Sequence, residues 1–303
     1  MEAAVVFSRL VQYAAVATVG GASLFFLHGY RPATGTHWPL WLARTAAGLG
    51  AAATIGWLMT QAGSLGDDPR DALVPGKVWA VAVGAGFGVA ALVRSGLLVA
   101  AFGVSFLRTT APPWRTLATL GLAASASFAW TGHGNADDGV AGVAHLAADV
   151  VHLEAAAIWV GALFSLLLLL VREAARPSGA SVAAGAAALA AFSRIGPWVV
   201  GALVLSGLVN SMFLIGLAGL PGVLHTSYGR LLTIKLALFG LMLGLATANR
   251  YVLTPRLELA AGRAPHDPVD IAPRLSLLAE SLLALAVLFI VSWLGTLSPT
   301  GEM

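Results

Sequence analysis

Three polar residues inside one apolar stretch carry the clearest chemistry in the chain. His145, Asp149 and His152 follow the pattern His-x3-Asp-x2-His. On an α-helix turning about 100° per residue they fall within about 60° of one another. Imidazole and carboxylate donors suit Cu(II), and imidazole also suits zinc, nickel and iron. The same three residues admit other roles. The aspartate can fix the tautomer of a neighbouring histidine, the set can pass protons along a relay, or it can line a wet groove as ordinary polar packing. Trp159 extends the face one to two turns deeper. His133, Asp137 and Asp138 precede this stretch, and His225 lies in a later polar segment.

The elements that must hold these residues are set by composition. The 303 residues are 58% hydrophobic and 10% charged, with mean hydropathy +0.85. A soluble domain carries about 25% charged residues, so this chain cannot cover a globule of its size with ionised groups. Composition excludes a soluble enzyme and a disordered chain, and indicates a polytopic membrane protein. The absence of cysteine excludes disulfides, thiolate metal sites and a cysteine nucleophile. Seventeen Lys and Arg scattered along the chain are not a nucleic-acid-binding pattern.

A crossing helix needs about 20 mostly apolar residues. Eight stretches qualify, at approximately 4–27, 40–61, 86–107, 115–131, 146–171, 190–216, 229–250 and 274–296. The reading is an all-α membrane protein of eight transmembrane helices in one membrane domain. The first stretch lacks a basic leader and is expected to remain as a span. Orientation follows from Lys and Arg in the loops. The odd loops hold eleven, among them Arg31, Arg108, Arg172, Arg176 and Arg263; the even loops hold only Arg70 and Lys77. The odd loops are therefore expected in the cytoplasm and both termini outside it.

The chain also repeats itself. Gln12 and Gly21 correspond to His152 and Gly161 at an offset of 140. Phe87, Gly88 and Arg94 correspond to Tyr228, Gly229 and Lys235 at an offset of 141. Residues 1–135 and 136–303 then form two four-helix units. Because four is even, the units share one orientation, a parallel repeat of the kind seen in transporters. Arg94 and Lys235 sit about two turns inside the outer ends of their helices. They can snorkel to the surface, or neutralise Asp149 and Glu154. Glu154 points away from His145 on the helical wheel and serves a different neighbour. Asn210 reads as an interhelical hydrogen bond.

Together these residues resemble a known family. The run 145–161 (HLAADVVHLEAAAIWVG), Phe192-Ser193-Arg194-Ile195, Ser206-Gly207-Leu208-Val209-Asn210, the segment from Thr226 through Tyr228 to Lys235, and Asn249-Arg250 are similar to the helices of the copper resistance protein D (CopD) family. Phe87-Gly88 with Arg94, and Gly132-His133, fit the first half. The likeness is strongest over about 85–255 and weak over the first, second and last spans. It implies an eight-helix inner-membrane protein that handles a copper ion, with a periplasmic copper-binding protein (CopC-like) as donor. It maps the histidine motif onto His133, His145 and His152. Gln12 stands where the repeat would put a second His152, so the first half has no matching ligand.

The sequence-level conclusion is a copper permease without catalytic chemistry of its own. His133, His145, Asp149 and His152 are the metal ligands. Arg94, Glu154, Trp159, Asn210, His225, Tyr228 and Lys235 are supporting residues. The chain has no phosphate-binding G-x-x-x-x-G-K-[ST] loop, so transport would run downhill or on an ion gradient. Two other functions stay open. A haem b electron-transfer protein would need two histidines at similar depth on different helices, with His152 and His133 as the pair. A non-transporting membrane partner of a soluble copper carrier would need only the outer surface.

Overall fold

The computed structural model describes residues 2–32, 36–66, 68–107, 111–132, 139–174, 179–216, 220–256 and 272–297. These residues are predominantly helical, with no strand among them. The helices are α1 (Glu2–Ala17), α2 (Trp38–Leu65), α3 (Pro75–Gly84), α4 (Gly86–Val104), α5 (Trp114–Ala126), α6 (Gly139–Ala174), α7 (Gly179–Leu214), α8 (Ser227–Ala248) and α9 (Ala272–Leu294). Wider π-helical turns carry α1 on through Thr18–Ala22 and Phe25–Gly29, and another, Asn249–Leu253, follows α8.

Six of these helical segments are long and apolar enough to cross a bilayer: Glu2–Gly29, Gly86–Val104, Gly139–Arg172, Ala183–Leu214, Ser227–Arg256 and Ala272–Leu294. The other two expected spans are helical but less clear-cut. The second is the 28-residue α2, which carries Arg44. The fourth is the 13-residue α5, prolonged by a four-residue 3-10 turn at Ser127–Trp130. The expected third span is preceded by a separate ten-residue helix, α3, because Pro75 starts a new helix and Ala85 breaks it in extended conformation. The fifth and sixth spans are longer than expected, at 36 residues each. A helix of that length measures about 54 Å, against about 30 Å of hydrocarbon.

Two helices form the centre. The π-helical part of α1 packs against α2, α5 and α6, and α6 packs in turn against α7, α9 and α5. α1 and α6 meet at Gly21 and Gly161, with backbone against backbone. A methyl group on Gly21 would strike the Ala157 carbonyl, and one on Gly161 would strike the Ala17 carbonyl. The contact is reciprocal: Ala17 and Gly21 meet Ala157 and Gly161, each pair offset by 140 residues. Small residues permit this approach where apolar association gives no driving force in lipid. A second pair is similar: Gly88 is closed against the carbonyls of Val81 and Ala82, and Gly229 against that of Val223.

The start of α1 and the end of α9 lie at the same end of the bundle. Arg9 donates to the Gly295 carbonyl at 2.8 Å, placing a cation on the C-terminus of α9. Many large apolar residues, among them Trp198, Leu205 and Leu241, are exposed on the outer faces of the bundle. Such faces suit lipid contact.

Candidate functional site

The three residues of the His-x3-Asp-x2-His pattern share one face of α6, and that face meets α7. His145 is buried and its ring stacks on Phe213, with centroids 4.6 Å apart and planes 4° from parallel. Asp149 accepts a hydrogen bond from Asn210 Nδ2 at 3.2 Å. His152 Nδ1 lies 3.1 Å from Ser206 Oγ. The partners descend α7 as the three residues ascend α6, so the set forms an antiparallel ladder. Gly207 packs beside the lowest rung, where a methyl group would stand 3.4 Å from His152 Cε1, about van der Waals contact.

His145 and His152 are seven residues apart, about 10 Å along the helix axis. Metal–nitrogen bonds are about 2 Å long. The ladder is therefore a series of polar stations rather than one closed coordination sphere. Among the described residues no three His, Asp or Glu side chains are grouped to hold a metal ion. His133, Asp137 and Asp138 lie outside the described residues.

Below the ladder lies a cavity of about 290 Å³. His152, Ser211, Lys235 and Ser125 supply polar groups to its wall, and Leu203, Phe239, Met242 and Leu288 supply much of the apolar remainder. Tyr13 of α1 reaches it from the other half of the molecule. Lys235 is half-buried and makes no hydrogen bond among the described residues; its charge acts on both His152 and Asp149. Trp159 closes the cavity toward the opposite membrane face, packed edge-on against Phe239.

Beyond Trp159 is a second cavity of about 200 Å³ between α7, α8 and α9. Trp159 belongs to the walls of both. Its indole Nε1 donates to Glu280 Oε1 at 3.2 Å, and Asn249 Nδ2 donates to Glu280 Oε2 at 2.9 Å. Pro197 shapes this region. It stands inside α7 and has no N–H, so the Ser193 carbonyl four residues earlier loses its helical donor. Arg250 Nη1 donates to that carbonyl instead.

The supporting residues separate into two groups. Asn210, Trp159 and Lys235 join the ladder and its cavity. Arg94 does not: it is 1% exposed and serves the first half. Its guanidinium donates to Gln12 Oε1 at 2.8 Å, Ser127 Oγ at 3.0 Å and Thr131 Oγ1 at 3.4 Å, and stacks 3.4 Å from the Phe128 ring centroid. Lys235, which the 141-residue sequence offset matches to Arg94, instead lines the cavity beside His152. Glu154 is half-buried near the Ala126 backbone of α5, with one carboxylate oxygen unpartnered. Tyr228 is buried at the start of α8, within electrostatic reach of Asp149. His225 is exposed at the end of a 3-10 turn and does not line the cavity. Sequence reading overlooked Phe213 and the catch between Asn249 and Glu280. Phe213 lies three residues beyond Asn210, on the same helical face. Nothing in local sequence pairs Asn249 with Glu280, which are 31 residues apart.

This fold and site define a class: an all-helical, multi-pass membrane protein with histidine and carboxylate groups leading into a bundle interior. Residues 1–143 match the family model described as copper resistance protein D-like, N-terminal domain, and residues 186–294 match that of copper resistance protein D. The matches reach the first, second and last spans, where motifs alone were weak, and His145, Asp149 and His152 fall between them. The chain is 41% identical to copper resistance protein D of Pseudomonas syringae pv. tomato over 221 residues, covering 71% of this chain and 69% of the relative. It is 30% identical to inner membrane protein YebZ of Escherichia coli (strain K12) over 242 residues, 80% of this chain and 79% of that one. A 109-residue stretch is 37% identical to copper transport protein CutJ of Bacillus subtilis (strain 168), covering 35% of this chain and 18% of the relative. No solved structure matches the chain. The chain belongs to the copper resistance protein D family.

Proposed function

We propose that the chain is a copper permease that takes its substrate from the outer side of the plasma membrane. The observation that carries this reading is the ladder of His145, Asp149 and His152, which leads along α6 from the helix start to a cavity inside the second half. Stations in series suit a substrate that must enter and leave, since conduction needs binding that is favourable at several sites and tight at none. Copper is the substrate named for the Bacillus subtilis relative, a copper transport protein. Imidazole and carboxylate are donors that Cu(II) accepts.

In this reading His133 and His145 receive the ion at the mouth, Asp149 and His152 carry it inward, and Asn210 and Ser206 orient them. The eight helical stretches all cross the membrane, as two four-helix units of like orientation. Basic residues keep the odd loops cytoplasmic and both termini outside. A CopC-like periplasmic copper-binding protein supplies the ion, and the chain performs no catalysis. The experiment is copper uptake into vesicles containing the purified protein, with His145→Ala and His152→Ala as controls. Uptake should depend on the protein and fall at least tenfold in the double variant. Protein-independent uptake contradicts the proposal. A Soret band in the purified protein would turn the reading to haem.

A further inference from the structure

We infer that the inner cavity holds a second cation site, in which the Glu280 carboxylate and the Asn249 side-chain oxygen receive the ion after it passes Trp159. This rests on the permease reading for the source of the ion, but not for the site itself. Glu280 is 1% exposed, and its carboxyl group has only neutral donors, Trp159 Nε1 and Asn249 Nδ2. Among the described residues it has no ion-pair partner. A carboxylate taken this far into a membrane bundle is costly unless a cation comes with it.

The second observation is independent of that charge. Asn249 is 5% exposed, and while its Nδ2 is used, its Oδ1 has no hydrogen-bond partner. A buried amide oxygen left bare is likewise costly. Asn249 and Glu280 both line the 200 Å³ cavity, so the carboxylate and the bare amide oxygen belong to residues of one cavity wall. Arg250 lines it as well, but its guanidinium is drawn to the Ser193 carbonyl that Pro197 leaves open. Asn249 is the buried first residue of the π-helical turn Asn249–Leu253 that follows α8. One carboxylate and one amide oxygen make a hard, weak site. Such donors take a divalent cation, Cu(II) included, and release it, unlike the imidazoles of the outer ladder.

The test is a Cu(II) titration of the purified full chain in detergent, read by equilibrium dialysis and electron paramagnetic resonance. The parent should show two classes of copper, one nitrogen-ligated and one oxygen-ligated. Glu280→Gln should weaken the oxygen-ligated class at least tenfold and spare the nitrogen-ligated one. Asn249→Asp, which adds a charge at the second donor, should tighten the oxygen-ligated class. Tightening cannot be mimicked by misfolding, so this variant decides the matter if Glu280→Gln does not fold. A parent without oxygen-ligated copper overturns the inference, as does an oxygen-ligated class that Asn249→Asp leaves unchanged. Loss of nitrogen-ligated copper alone from the parent would sink the outer ladder and leave the inner site standing.

Discussion

Arg94 and Lys235 should fail in different ways when removed. Arg94→Ala deletes hydrogen bonds at 2.8 and 3.0 Å, a longer one at 3.4 Å, and the stacking over Phe128. Two good bonds from a charged donor are worth about 1.5 kcal/mol each at the low end, and a desolvated cation–π contact adds about 1–2 kcal/mol. Against this, the substitution relieves the cost of burying a guanidinium, several kcal/mol in a protein interior. The cavity left by the side chain acts in the other direction. The oxygens left behind keep partial cover. Gln12 Oε1 still accepts from Thr54, and Ser127 and Thr131 still donate to backbone carbonyls. The expected net loss is about 2–4 kcal/mol of stability, with copper binding unchanged. Lys235→Ala removes no hydrogen bond among the described residues and a like charge near the histidines. It should cost less than about 1 kcal/mol and strengthen copper binding by roughly three- to tenfold, on the order of 1 kcal/mol of relieved repulsion. Unfolding in mixed micelles and a copper titration read both quantities. Equal destabilisation by the two variants, or loss of copper with Arg94→Ala, would refute the reasoning.

The remaining predictions concern the scaffold and the ladder. Gly161→Ala puts a methyl group into the Ala17 carbonyl, where backbone on both sides prevents easy relaxation. It should cost about 3 kcal/mol or more, seen as loss of the monodisperse peak in size-exclusion chromatography, whereas Gly201→Ala, which meets nothing within 4 Å, should behave as the parent. Asn210→Leu takes away the donor to Asp149. Removing such an orienting partner typically weakens a metal site about 10- to 100-fold, and the copper titration should show a loss in that range.

Much of this architecture is legible in the sequence because lipid imposes simple rules. Apolar length marks the long helices, and the 3.6-residue period places His145, Asp149 and His152 on one face, which the structure turns toward α7. Gly21 and Gly161 stood out only as a spacing; their reciprocal contact shows why small residues sit there. Arg94 is the instructive difference. From sequence it is interchangeable with Lys235, but a lysine cannot supply the fork of donors that Gln12, Ser127 and Thr131 accept. Whether a buried cation is consumed by its own unit depends on three-dimensional partners. The same holds for Glu280, whose partners Trp159 and Asn249 come from two other helices. Helix breaks such as that at Ala85 depend on packing that hydropathy does not record.

The central claim is that the α6 ladder binds copper. The most direct measurement is metal analysis of the purified protein dialysed to equilibrium against a fixed Cu(II) concentration, repeated on the His145→Ala/His152→Ala double variant. Nitrogen-ligated copper is expected in the parent and its loss in the double variant, with the elution profile unchanged. A parent that retains no copper, or a double variant that retains as much as the parent, would contradict it.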